Sequence, residues 1–473
     1  MRFGYFVSNA RANPDESDAQ LIRDSIEQVE AAEEAGFDIV WYPERHFNAA
    51  ATSPHPLLSI VDSARRTSRI RLGTSVLIAP YRHPLILAEE IGLVDQLIEG
   101  RLEIGFARGA TLYEYERFGL DDKQAAGRLQ ECMDILLGLW GSDGEFGFQG
   151  QHFQFDKTYV NPRPVQKPYP PMSLAARSPE SLRYCLTNGL AIHTTPLRQP
   201  KSAAQTTINT IAAIVEEFPG IEWPEVAIET ETFVSEDAAT IMNAMRLLED
   251  GHIRTNNFGK NGKKPTMGFG PLDPLPPGLE ITAEQLAERC VVGDPDSVLR
   301  QVREYRDMGM TEFIANMDFG QSQRDVLNSI ELFGSKVIDQ DWTSASSRRP
   351  KSSASGTSAE KRDALRKWYE ARFASQWQDW READWIRWFE EKTERGEEAF
   401  EIFDVSVNPG LRAEATGIVP TTGKLCLLRN LACPKCGRPS LVLSYRPHDE
   451  APKDLGEAIA HSPQWAEWHE LHP

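Results

Sequence analysis

Through the first 340 residues, short apolar runs alternate with longer stretches in which apolar side chains recur every three or four positions. Residues 2–7 form a run of the first kind, and Leu21, Ile22, Ile26 and Val29 follow at helical spacing. The same two-beat pattern predicts strands over 38–42, 70–78, 102–107, 172–176, 190–194, 226–234 and 312–317. It predicts helices over 56–64 and 129–140, and another marked by Ile86, Leu87, Ile91, Val94, Leu97 and Ile98. Gly36, Gly100, Gly189 and Gly309 punctuate the joints. Eight strand–helix units of this kind predict an α/β chain folded as a (β/α)8 barrel over residues 1–340. An open doubly wound sheet is the rival, but it rarely reaches eight strands, and no glycine fingerprint follows the first strand.

Two segments break the alternation. Residues 141–171 mix Gly, aromatic and Pro residues and read as a hairpin insert. Residues 251–284 show no periodicity, hold Gly259-Lys260-Asn261-Gly262-Lys263-Lys264, and read as a lid at the barrel mouth. Beyond Trp342 the pattern changes altogether. Seven of the 16 residues from 343 to 358 are Ser, which predicts a flexible linker over about 343–360. Residues 361–473 read as a separate small α+β unit. In it Trp368, Phe373, Trp377, Trp380, Trp385, Trp388 and Phe389 share a helical stretch, expected to build a small aromatic core or docking face. Cys433-Pro434-Lys435-Cys436-Gly437 has the spacing of half a zinc knuckle; with Cys426 upstream and a histidine downstream, a structural Cys3His zinc site is arithmetically possible.

Composition narrows the function. The chain has 473 residues, 40% of them hydrophobic and 26% charged, as a globular protein should. Its formal charge of −19 argues against a nucleic-acid partner, whose phosphates it would repel. No apolar run approaches the length of a membrane helix, and six scattered or clustered cysteines do not make a disulfide scaffold. A cytoplasmic protein with no membrane partner is expected.

Chemistry-bearing residues collect at the predicted strand ends. The second strand exits through Tyr42-Pro43-Glu44-Arg45-His46-Phe47, and the third contains Thr74-Ser75-Val76 and leads into Pro80-Tyr81-Arg82-His83-Pro84. The fourth ends in Gly105-Phe106-Ala107-Arg108-Gly109, and the fifth in Ala175-Ala176-Arg177-Ser178. With Arg2-Phe3-Gly4-Tyr5-Phe6, Asp95-Gln96-Leu97, the run from Asn161 to Pro168 and Val292-Gly293-Asp294-Pro295, these motifs resemble the bacterial luciferase-like flavin monooxygenases in order and spacing, over residues 1–338. The resemblance implies reduced FMN, supplied by a separate NAD(P)H:flavin reductase, at the barrel's C-terminal mouth. There it would react with O2 to a C4a-peroxyflavin that oxygenates a small organic substrate. Arg108 matches the family's phosphate-contacting arginine, and Ala176, Arg177 and Ser178 its second phosphate segment. Ala107 matches the reactive cysteine near luciferase's flavin, and Ser75-Val76 its non-proline cis peptide under the flavin ring. In luciferase a histidine base stands where this chain has Arg45, which cannot take a proton near neutral pH. The reaction centre is therefore expected at Glu44, Arg45 and His46, with substrate contacts from Tyr115, His193 and Thr194. A homodimer is expected. The alternatives are an F420-dependent oxidoreductase and a flavin-binding protein without catalysis.

Overall fold

The first strand, β1 (Arg2–Phe6), lies between the second and the last of the barrel, as a closed parallel ring requires. The others are β2 (Ile39–Tyr42), β3 (Arg71–Ile78), β4 (Leu102–Ala107), the hairpin pair β5 (Phe146–Gln149) and β6 (Gln154–Thr158), β7 (Met172–Ala175), β8 (Ala191–Thr194), β9 (Val226–Val234), β10 (Val291–Gly293) and β11 (Glu312–Asn316). Eight of them, β1, β2, β3, β4, β7, β8, β9 and β11, close a parallel barrel through the β8–β9 pairing, while β10 extends the end of β9. The helices are α1 (Asp18–Glu34), α2 (Pro56–Ala64), α3 (Pro84–Leu97), α4 (Leu112–Phe118), α5 (Ala125–Gly141), α6 (Pro179–Asn188), α7 (Ser202–Glu217), α8 (Ala238–Lys260), α9 (Ala283–Ala287), α10 (Pro295–Met308) and α11 (Gln323–Phe333). The computed structural model describes residues 1–342 except 10, 12–14, 48, 50, 143, 196–200, 218–220, 261–280 and 341, and beyond them the backbone of 401–408, 412–419, 424–432 and 439–446.

Local chemistry sets the element ends. Ser178 and Asp294 cap α6 and α10 through their side chains, each with proline at the first helical position. Gly189 and Gly309 end the same helices at φ 65° and 116°, where a side chain would be strained. The barrel lumen is plugged by Phe6, Ile39, Trp41, Ala227 and Ile314. Gly73 makes room for the plug: a Cβ there would lie 2.4 Å from Trp41 Cζ3. Beneath the plug Arg2 pairs with Glu103 at 2.9 Å and Glu312 at 3.5 Å, and Trp41 Nε1 donates to Glu312 at 2.6 Å. Side chains alternate across a strand, so Glu229 and Glu231 stand on the lumen side above Ala227, and Asn316 above Ile314.

The hairpin expected within 141–171 is present as β5 and β6. The expected lid over 251–284 needs correction: α8 runs to Lys260, so its first ten residues continue a helix. That stretch is largely polar, and a helix without an apolar stripe leaves no period to read. Residues 261–280 lie outside the described residues. By its contacts the chain divides into two units, 1–354 and 355–473. In the second, β12 (Glu401–Asn408), β13 (Arg412–Val419), β14 (Lys424–Ala432) and β15 (Pro439–Arg446) form an antiparallel sheet in sequence order. Cys426 is in β14; Cys433, Cys436, the Ser-rich linker and the Trp-rich stretch are outside the described residues. Among the described residues no cluster of three His, Cys, Asp or Glu is placed to hold a metal, and no helix is long and apolar enough to cross a membrane.

Candidate active site

The β2 exit folds over the mouth with Glu44 and His46 both buried. Glu44 accepts the Ile78 N–H at 2.9 Å and Arg82 Nη1 at 2.7 and 2.8 Å. His46 Nε2 lies 2.6 Å from Glu44 Oε1, so the carboxylate fixes the ring. The ion partner of Glu44 is thus Arg82, and Arg45 is left exposed at the rim. His46 donates its backbone N–H to Glu114 Oε1 at 3.1 Å, and its ring stands edge-on to Phe118 with centroids 5.1 Å apart.

Across the mouth, Ser75–Val76 is a cis peptide bond, as the sequence comparison implied. Ser75 Oγ is 3.1 Å from His193 Nδ1, and the His193 ring stands edge-on to Trp41 at 4.5 Å. Burial, helped by the charge of Arg2, pushes the His193 imidazole down to about 3, so it stays neutral at physiological pH. Thr194 is buried beside it at the end of β8. The neighbouring strand ends carry Ala107, half-buried, and Arg108, exposed. Tyr115 is buried and donates its hydroxyl to the Arg108 carbonyl. From β7, Ala176 is buried and donates its N–H to the His193 carbonyl at 3.2 Å; Arg177 is exposed, and Ser178 caps α6. Neither Arg108 nor Arg177 is in an ion pair among the described residues.

Four contributors escape a reading by sequence. Arg82 and Glu114 act on the 44–46 segment from 38 and 68 positions away. Glu229 and Asn316 are joined across strands, Asn316 Nδ2 donating at 3.4 Å. Burial, and the neighbouring Glu231, push the Glu229 carboxyl up to about 7. The alternation Glu229-Thr230-Glu231-Thr232 was the available signal: a barrel strand with polar residues on both faces has one of them in the lumen.

Acids, an imidazole and arginines at the C-terminal ends of parallel barrel strands mark the end where such barrels place their active sites. Residues 1–312 match the family model of the luciferase-like monooxygenases. The chain belongs to that family. This luciferase-like enzyme is 32% identical, over 349 residues, to the oxygenase component of the flavin-dependent trigonelline monooxygenase of Acinetobacter baylyi, covering 72% of this chain and 95% of the relative. It is 28% identical to an F420-dependent glucose-6-phosphate dehydrogenase of Nakamurella multipartita, over 72% of this chain and 96% of that one. The oxygenating constituent of the 3,6-diketocamphane monooxygenase of Pseudomonas putida, solved with FMN, shares the fold at a TM-score of 0.57 and 19% identity, covering 71% of this chain and 98% of its own. The barrel expected from the apolar pattern is the fold of this luciferase-like enzyme.

Proposed function

We propose that the protein is the oxygenase component of a two-component flavin monooxygenase, taking reduced FMN from an NAD(P)H:flavin reductase and inserting one atom of O2 into a small organic substrate. The observation that carries this reading is the donor set at the ends of β4 and β7. Arg108 and Arg177 are exposed cations without ion partners among the described residues, and Ser178 opens a helix beside them. That chemistry fits a phosphate monoester. Bound there, reduced FMN would supply the two electrons that activate O2. The second oxygen atom leaves as water.

The residues then divide the work. Arg108, Arg177 and the start of α6 hold the phosphate. Ser75, Val76 and Ala107 back the ring. His46, its Nε2 held by Glu44, keeps a proton at the mouth for the departing water, and Arg45 offers a fixed cation to an anionic substrate group. Tyr115, His193 and Thr194 shape the rest of the pocket. The oxygenase reading is supported by the identity to the trigonelline enzyme's oxygenase component.

Titrating the protein with FMN and with F420 separates the two cofactors, and reductase-coupled O2 uptake with mass spectrometry of products separates catalysis from mere flavin binding. Arg108→Ala should weaken FMN by about 1.5–3 kcal/mol, the loss of a hydrogen bond to a charged group. Unchanged FMN affinity in that variant removes the phosphate assignment.

A further inference from the structure

Helix α4 connects the two ends of this site. Tyr113 donates its hydroxyl to the His46 carbonyl at 3.3 Å, and Glu114 takes the His46 N–H at 3.1 Å, so consecutive residues grip both sides of that residue's backbone. The other Glu114 oxygen accepts Tyr81 Oη at 2.9 Å. The next residue, Tyr115, holds the Arg108 carbonyl and packs its ring edge-on to Tyr81, centroids 5.0 Å apart. Phe118, a turn further on, covers both the His46 and Tyr81 rings. Glu114 is only 3% exposed, although it is a carboxylate in a seven-residue helix next to solvent. Such burial is costly unless both oxygens are satisfied, as they are here.

A short helix so tied cannot move at one end alone. We infer that α4, with Glu114 as its positioning residue, couples occupation of the Arg108 segment by a phosphate to the placement of His46. Displacing the Arg108 carbonyl shifts Tyr115; Tyr115 and Tyr81 pack together, and Glu114 passes the shift to the His46 backbone. The FMN tail and the proton-holding imidazole are then set in one step, and by linkage the protonation of His46 bears equally on phosphate binding. This rests on the reading above that FMN phosphate sits at Arg108.

The test follows the ring signals of His46 by NMR in the full chain labelled with 13C-histidine, assigned with His46→Gln. The charged and titratable groups around that ring include Glu44 and Arg45 on its own segment, Glu114 from α4, Tyr81 and Arg82 from the β3 exit and His55 before α2. In the wild type, FMN should move the His46 titration midpoint by about 0.3–1 pH unit, whereas riboflavin, which lacks the phosphate, should leave it in place. Glu114→Ala should abolish the FMN-induced shift while FMN affinity stays within about threefold. Glu114→Gln, which keeps an acceptor for the His46 N–H, should retain the shift and guards against misfolding of the alanine variant. An equal shift with riboflavin, or a shift surviving in Glu114→Ala, overturns the coupling. Bound FMN that leaves His46 unmoved overturns this inference alone; a wild type that does not bind FMN overturns the flavin reading and this inference with it.

Discussion

Glu229 sits half-buried on the lumen face of β9, with Glu231 one step further along the strand and Arg45 the nearest countercharge from the rim. Its carboxyl keeps its proton to about pH 7, against 4.5 ordinarily. Between those values the folded protein holds a proton that the unfolded chain releases. Stability from this site is therefore full below 4.5 and falls as pH rises through 7. Glu229→Gln should raise stability by about 2 kcal/mol at pH 8 and leave it unchanged at pH 4.5, in urea melts at the two pH values. An equal gain at both would mean that charge is not the cause. Glu44 and His46 were legible because they follow a strand end, where barrels keep their chemistry. Glu229 was not, since the alternation in β9 signals that one polar set faces the lumen but not whether it is the glutamates or the threonines.

At the scale of elements, α3 ties together two motifs that lie far apart in the chain. Asp95 accepts the Gln166 N–H at 2.9 Å and its side-chain amide at 2.7 Å, and Gln96 donates to the Arg163 carbonyl at 2.9 Å. Gly92, a turn earlier, lets the same segment lie against the helix: a Cβ would be 2.0 Å from the Pro162 carbonyl oxygen. That neighbour is backbone and cannot rotate away. Gly92→Ala should destabilise the barrel by roughly 2–3 kcal/mol by urea unfolding, since overpacking against a fixed chain outweighs alanine's helix propensity. A neutral or stabilising result would show that the 161–168 segment yields freely. The barrel strands were readable because burial on both faces gives largely apolar runs, the polar centre of β9 being flanked by Val226-Ala227-Ile228 and Phe233-Val234. The segment after Arg108 carries no such signal: α4 is one short helix whose aromatic and acidic residues face the site, so no apolar stripe announces it. The second unit's sheet was hidden similarly, β14 mixing Lys, Arg and Asn into an apolar strand.

At the scale of the whole molecule, two questions concern what lies outside the barrel's own core. Leu58 on α2 and Ile86, Leu93 and Leu97 on α3 are 71%, 57%, 48% and 52% exposed, on helices that pack together. An apolar face of that kind fits a second copy of the chain, and the double variant Ile86→Asp, Leu93→Asp should turn a homodimer into a monomer by sedimentation velocity. A wild type that sediments as a monomer would refute this. The other question is what the barrel owes to residues beyond it. The family match ends at residue 312, and 72% of this chain spans 95% of the trigonelline enzyme's oxygenase component, so the second unit is additional to what that relative needs. The barrel's ring is closed by its own strands, and Trp342 packs edge-on against Phe3 with centroids 5.1 Å apart, finishing the first unit's core. A fragment of residues 1–342 should therefore fold and bind FMN within about twofold of the full chain, because it keeps every barrel strand and every residue assigned to the flavin site. A fragment that is insoluble, or that binds FMN more than about tenfold more weakly, would mean that residues 343–473 complete the barrel rather than accompany it.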